Sequence, residues 1–224
     1  MKNQKLLSIF ILLFILCFIS IQSIKAQSEF GVKGGILFSN INKTGLNSNL
    51  EFENKNGLSI GVFYKKRNLW GLVGFQGEFL YQTKGANVFI EKYESSEIGN
   101  SSYEDYMASL NGQKSYYRDK EILHYFSLPL LLTVKTTKFL DLYAGPAINY
   151  LLSMESSRIK TDNANRFSAG FSTGATIKLG NKTSLDFRYS LDLTPYDDMG
   201  NEQHPAKLKN QNFAVTIQKT LFKK

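Results

Sequence analysis

The segment Ser184-Leu185-Asp186-Phe187-Arg188-Tyr189-Ser190-Leu191-Asp192 decides how the chain is read. In an extended strand successive side chains point to opposite faces. Leu185, Phe187, Tyr189 and Leu191 therefore share one face, and Ser184, Asp186, Arg188 and Asp192 share the other. A helix would mix the two sets. The same period of two recurs along the chain. Phe30, Val32, Ile36 and Phe38 oppose Lys33 and Ser39; Leu58, Ile60, Val62 and Tyr64 oppose Ser59, Gly61, Phe63 and Lys65. Val73, Phe75, Phe79 and Tyr81 oppose Gln76, Glu78 and Gln82, and Leu128 to Val134 alternate with Ser127, Pro129 and Thr133. Further alternating runs lie at 140–150, 167–178 and 213–221. This predicts eight strands of roughly 9–13 residues, long for a globular sheet.

The connections alternate as well. Three are short, near Lys66–Leu69, Thr136–Lys138 and Gly180–Lys182; four are long, near Asn40–Gly57, Thr83–Glu121, Glu155–Asn165 and Thr194–Gln211. An even number of bilayer-length strands, with short turns at one end and long loops at the other, predicts an all-β chain. Its form is an eight-stranded antiparallel up-and-down transmembrane β-barrel. A soluble barrel of the lipocalin type also alternates, with its apolar face inward around a ligand. Alternation alone leaves open which face is out.

The polar face favours the membrane form. Its charged members are Lys33, Lys65, Glu78, Asp141, Lys178, Asp186, Arg188 and Asp192, four of each sign, among Gly, Ser, Thr, Asn and Gln. Small residues suit a narrow lumen, and balanced charges can be buried when paired and hydrogen-bonded. Lys33, Glu78, Asp141, Lys178, Asp186 and Arg188 are the expected interior network, with Glu78 and Arg188 its leading pair across the lumen, since arginine offers a planar fork to a carboxylate. Eight strands leave room for side chains alone, so a plugged barrel is expected. Aromatic girdles are expected from Phe30, Tyr64 and Trp70 at the short-turn end and from Phe38, Tyr81, Tyr150 and Phe167 at the other. Pro129 and Pro146 predict bulges or local bends. Gly31, Gly34, Gly35, Gly74 and Gly77 are expected to make room for bulky inward groups.

Lys2 and Lys5 precede an apolar run from Leu6 to Ile24, and Ala26 comes just before the strand pattern. This is the layout of a signal peptide over 1–26 with the barrel over 27–224. No globular module, and so no peptidoglycan-binding module, is expected between them. Cleavage would remove Lys2, Lys5 and Lys25, three of 27 bases, leaving 24 against 19 acids. That excess is small, and no basic run with interleaved aromatics points to nucleic acid. Cleavage would also remove Cys17, the sole cysteine. An exported chain without disulfides fits a bacterial envelope.

No catalyst is expected. His124 and Ser127 stand three apart in a strand, on opposite faces. His204 lies near Asp197, Asp198 and Glu202 without a recognised ligand spacing, so no metal and no cofactor is expected. The functional candidate is the connection over 83–121, which carries Tyr93, Tyr103, Tyr106, Tyr116 and Tyr117. Loops this long are commonly functional, and tyrosine is a good contact residue. Strand extensions within it are allowed for. The expected product is a monomer in outer-membrane lipid with periplasmic termini, its loops open to an extracellular protein or glycan. A narrow solute passage and a soluble secreted barrel holding an apolar ligand are the other readings.

Several blocks resemble the PorT-type outer-membrane barrels of Bacteroidetes: Gly31-Val32-Lys33-Gly34-Gly35, Gln76 to Gly85, Phe126 to Leu132, Leu142-Tyr143-Ala144-Gly145-Pro146, and Leu185 to Tyr189. The resemblance implies the same fold and carries no specific biochemical role. Such barrels often end on an aromatic in phase with the outward face. Here Phe222 is out of phase with Phe213, Val215, Ile217 and Leu221, and Lys223-Lys224 follow.

Overall fold

The alternating segments join edge to edge until the sheet closes on itself. The structure, a computed structural model, describes residues 27–44, 50–91, 116–155, 165–195, 197–198 and 207–224. Its strands are β1 (Ser28–Thr44), β2 (Leu50–Trp70), β3 (Val73–Glu91), β4 (Tyr116–Lys135), β5 (Leu140–Glu155), β6 (Phe167–Lys178), β7 (Thr183–Asp192), a two-residue β8 (Asp197–Asp198) and β9 (Lys207–Lys223). Every pairing is antiparallel. β1 to β7 pair in sequence order, β7 pairs β9, and β9 pairs β1. The ring thus has eight strands, with β8 an added stub beside Leu208 and Lys207 of β9. Residues 1–26 lie outside the described residues.

The structure settles which face is out. Val32, Ile36, Leu58, Ile60, Leu130, Leu132, Leu142, Ile148, Phe171 and Ile217 are exposed on the outer wall. Lys33, Lys65, Gln76, Glu78, Asp141, Asp186 and Arg188 are buried in the lumen. This is the reverse of a lipocalin-type barrel, and the reading as a soluble carrier of an apolar ligand fails on it. Rings stand near both ends of the outer apolar band. Phe30 lies 6.4 Å from Phe222 at the short-turn end, while Phe79–Phe126 (5.0 Å) and Tyr150–Phe167 (4.8 Å) pair toward the other. The side chain of Trp70 is outside the described residues.

Strand lengths differ from the sequence reading. β6 and β7 have 12 and 10 residues, but β2, β3 and β4 have 21, 19 and 20. About 9–11 tilted residues cross a bilayer, so β2 to β4 continue well past that height. The expected long connection 40–57 is mostly hairpin, since β1 runs to Thr44 and β2 starts at Leu50. The expected loop 83–121 is likewise strand to Glu91 and again from Tyr116, in register to the pair Glu91–Tyr116. Tyr116 and Tyr117 therefore belong to β4, and Tyr93, Tyr103 and Tyr106 lie outside the described residues. The wall is tall on the β9-β1-β2-β3-β4 side and low at β6 and β7.

Pro129 and Pro146 sit within unshifted registers, so no bulge occurs at either. Pro146 points outward and Pro129 inward; the β3–β4 ladder skips Leu128 and Pro129, and the β4–β5 ladder skips Gly145 and Pro146, with the same register on both sides of each gap. The irregularities fall elsewhere, at 54/59 and 66/70 of β2, 124/125 of β4 and 30/31 of β1. The last explains the C-terminus. Thr220 pairs Gly31 but Phe222 pairs Phe30, so Leu221 is the extra residue of a bulge. That extra residue returns Phe222 to the outer face, where it is 70% exposed.

The glycines divide by face. Gly31, Gly35 and Gly74 point inward, but Gly34 and Gly77 point outward. Gly31 pairs directly with Phe63, whose ring would stand 2.7 Å from a Cβ there. Gly174 does the same for Tyr143. These two inward rings are thus each accommodated by a glycine on the next strand.

A charge on the outer wall should reveal its solvent. Ile217, mid-band and 57% exposed, replaced by Arg should lower unfolding stability in phospholipid vesicles by about 2–4 kcal/mol. Urea unfolding followed by Trp70 fluorescence measures it; a cost near zero would mean that this wall faces water.

Candidate functional site

The chemistry of the described residues is concentrated in the lumen, in tiers set by strand register. At the waist four charges form a neutral quartet. The Arg188 guanidinium donates to both Glu78 oxygens at 2.7 Å each. Lys33 Nζ donates to Asp186 at 2.7 Å and to Glu78 at 3.2 Å. The remaining lone pairs are met by neutral donors. The Tyr143, Thr176 and Thr216 hydroxyls donate to Asp186 at 2.8, 3.0 and 3.2 Å, and the Gln76 amide to Glu78 at 2.6 Å. Arg188 also stands over the Tyr143 ring. Glu78 and Arg188 are 110 residues apart, on β3 and β7, and meet across the lumen.

A second tier lies at the short-turn end. Asp141 accepts from Lys65 at 2.8 Å, from Lys178 at 3.1 Å and from Arg67. Arg67 also grips Glu29 through Nε and Nη2, at 2.9 and 3.1 Å, and Lys223 stands 3.6 Å from Glu29. A third tier lies beyond the quartet on the other side. There Lys84 is 3.5 Å from Asp192 and sits over the Tyr125 ring, while Asn149 and Asn210 donate to Asp192 at 2.9 and 3.3 Å. Above it the lumen becomes apolar: Ile41, Ala86, Leu123, Tyr125, Leu151 and Leu208 pack together, with Phe52 and Met154 against them.

All six expected network residues thus face the lumen, in two groups. Lys33, Glu78, Asp186 and Arg188 meet in the quartet; Asp141 and Lys178 meet in the lower tier. Sequence reasoning missed Tyr143, Gln76, Lys84, Glu29 and Arg67 as partners. The inward phase of Tyr143 with Asp141 and Gly145 was the available signal. The apolar cap was missed because its residues fall where loops were expected.

His124 stands apart from this network. His124 is on the outer wall, with Nδ1 2.6 Å from the Tyr81 hydroxyl and Nε2 3.4 Å from Glu155. Ser127 faces the lumen and donates to Asn149 at 2.6 Å. Asp197 and Asp198 form β8, whereas Glu202 and His204 lie outside the described residues. Among the described residues no cluster of three or more His, Cys, Asp or Glu is placed to hold a metal ion.

A closed antiparallel ring with an apolar outer wall and an ion-paired lumen defines an integral membrane β-barrel. Residues 22–198 match the outer membrane protein beta-barrel domain family, and the chain belongs to that family. It is an outer-membrane β-barrel protein. Among solved structures it is similar to Ail, the attachment invasion locus protein of Yersinia pestis: 13% identity, covering 88% of this chain and 100% of that one, TM-score 0.47. It is also similar to Neisserial surface protein A, at 10% identity, 87% and 99% coverage, and TM-score 0.46. No curated protein sequence matches it.

Breaking the quartet should be costly. Glu78→Gln leaves Arg188 and Lys33 sharing one buried carboxylate, a loss of about 3–5 kcal/mol. Combining it with Arg188→Met should recover part of that loss, because the excess buried charge leaves with the guanidinium. Urea unfolding of the refolded barrel, of Glu78→Gln, of Arg188→Met and of the double variant forms the double-mutant cycle; additive losses would mean that the two side chains are not coupled.

Proposed function

We propose that this protein is a filled, non-catalytic outer-membrane barrel, a monomer in outer-membrane lipid, that presents its long loops to a partner outside the cell. Both termini lie in the periplasm on this reading. Ser28 and Lys224 exchange backbone hydrogen bonds at 3.0 and 2.9 Å, at the same end as the three tight turns. The carrying observation is the uneven wall. β3 and β4 stay paired from the waist out to Glu91 and Tyr116, and the apolar cap fills the lumen beneath. Residues 92–115, with Tyr93, Tyr103 and Tyr106, are therefore carried on a stiff, raised hairpin. That arrangement suits contact with a protein or glycan surface.

The tiers speak against the narrow-passage reading. Phe63, Leu80, Tyr143 and Arg188 fill the cross-section at the waist, and the cap fills it again above. Within the family, the PorT-type resemblance of Bacteroidetes is the finer assignment that we favour. Residues 1–26 act on this reading as a signal peptide removed after Ala26, which Edman sequencing of the exported protein tests by starting at Gln27.

Three measurements test the whole. The unboiled protein should migrate differently from the boiled one on a detergent gel. Protease added to intact cells should cut within 92–115 and spare a tag at the C-terminus. Replacing 92–115 by a short Gly-Ser linker should keep the heat-dependent migration and abolish adhesion of the cells to immobilised glycans or matrix proteins. Accessible C-terminal tags would reverse the orientation. Undiminished adhesion would remove the loop from the interaction.

A further inference from the structure

At the short-turn end the lumen opens into a cup of about 260 Å³ along the barrel axis. The filled tier lies directly behind it: Asp141 is two residues from Tyr143 along β5, and Lys65 two from Phe63 along β2. The cup is therefore a blind recess. Five cations line it, Arg67, Lys135, Lys178, Lys182 and Lys223, against two carboxylates, Glu29 and Asp141.

The excess is greater in effect than that count. Asp141 already accepts from Lys65, Arg67 and Lys178, and Glu29 from Arg67, with Lys223 nearby. Both carboxylates are thus satisfied from within. The ammonium groups of Lys135 and Lys182 have no carboxylate partner among the described residues, and both are exposed. Cations around a recess with low-dielectric walls focus their field into it. Hydroxyls of Thr133 and Ser184 add neutral donors.

We propose that this cup is a binding site for a soluble, multivalent oxyanion, carrying phosphate or carboxylate groups, that enters along the barrel axis. Lys135, Lys182 and the exposed Lys223 supply the charge at the mouth, and Lys178 meets the ligand deeper in. A single-charged anion would gain one such contact; two or more anionic groups can engage the lysines together. Anionic lipid headgroups share this chemistry but approach from the outer wall, whereas the cup is lined by inward and turn residues. With the termini in the periplasm, the ligand would be a periplasmic solute.

The test uses the full refolded barrel in zwitterionic detergent and inorganic pyrophosphate as probe, followed by titration calorimetry at low salt. Saturable one-to-one binding that weakens with added salt is expected. Lys135→Gln with Lys182→Gln should weaken it by about tenfold or more, as two charge-assisted contacts are lost. Lys138→Gln with Lys219→Gln removes the same charge at that end outside the cup and should leave it unchanged. Heat-dependent migration of each variant verifies folding. Absence of saturable binding, or equal loss in both double variants, would overturn the site. Pyrophosphate binding abolished in phosphatidylglycerol nanodiscs, but kept in zwitterionic ones, would make a lipid headgroup the occupant and overturn the soluble ligand.

Discussion

Hydrocarbon offers no hydrogen bonds to a peptide group, and the rest of this structure depends on that. A strand can sit in lipid only if both its edges are paired, so the sheet has to close. Closure is the β1–β9 ladder, which runs from Glu29–Lys223 to Thr44–Lys207. It spans strands far apart in sequence and gives the first strand its second neighbour. Once the ring exists, each strand has one face in lipid and one in the lumen, and the period of two is enforced on every strand by solvent. The bulge at Leu221 shows the same constraint acting on one residue. It lets the chain end with an aromatic on the lipid side although its position in sequence has the wrong parity.

The lumen then has to be filled by the chain's own side chains. The four charges of the quartet are close, opposite in sign and almost fully hydrogen-bonded, which is the condition for tolerating them. An apolar filling would satisfy the same volume, and on energy alone it would serve as well. What the charges add is position. The Arg188 fork fits one carboxylate in one orientation, and it ties β7 to β3 across the lumen. A one-residue slip of either strand would turn one of these groups out into lipid. The quartet therefore penalises the wrong register, whereas a leucine cluster would be far more forgiving of it.

Much of this was readable in the sequence, and the parts that were not share a cause. Where the lumen is polar, the alternation of signs is strong, and strands such as 184–192 declare themselves. Where the lumen turns apolar, Ile41, Leu123 and Leu208 point inward and the contrast between faces disappears. The strands continue there, but the pattern that marks them does not, so their upper reaches read as loops. Phe63 and Tyr143 are the same effect within the waist: bulky rings on the polar face, admitted because Gly31 and Gly174 stand opposite. Glu78 with Arg188 was the one pairing that side-chain chemistry suggested; partners such as Lys65 with Asp141 and Lys84 with Asp192 could not be read, since they meet only after closure. The prolines act more mildly than a bulge. A missing donor leaves ladder pairs unmade beside Pro129 and Pro146, and the neighbouring pairs carry the register across each gap without a shift.

The filled waist has a consequence for how the two ends relate. The quartet and the apolar cap between them block the described lumen at two heights, so the ends share a scaffold and no passage. Their chemistry differs accordingly. One end rises on paired strands over an apolar cap; the other is a shallow recess with more cations than its carboxylates can use. A signal between them would need the waist to change its pairing. The close fit of rings over glycines and the saturation of both quartet carboxylates oppose any such change, because each alternative arrangement would bury a charge without its partner. On the functions proposed for the two ends, they would act independently. The barrel's contribution is then to hold each at a fixed height on its own side of one membrane.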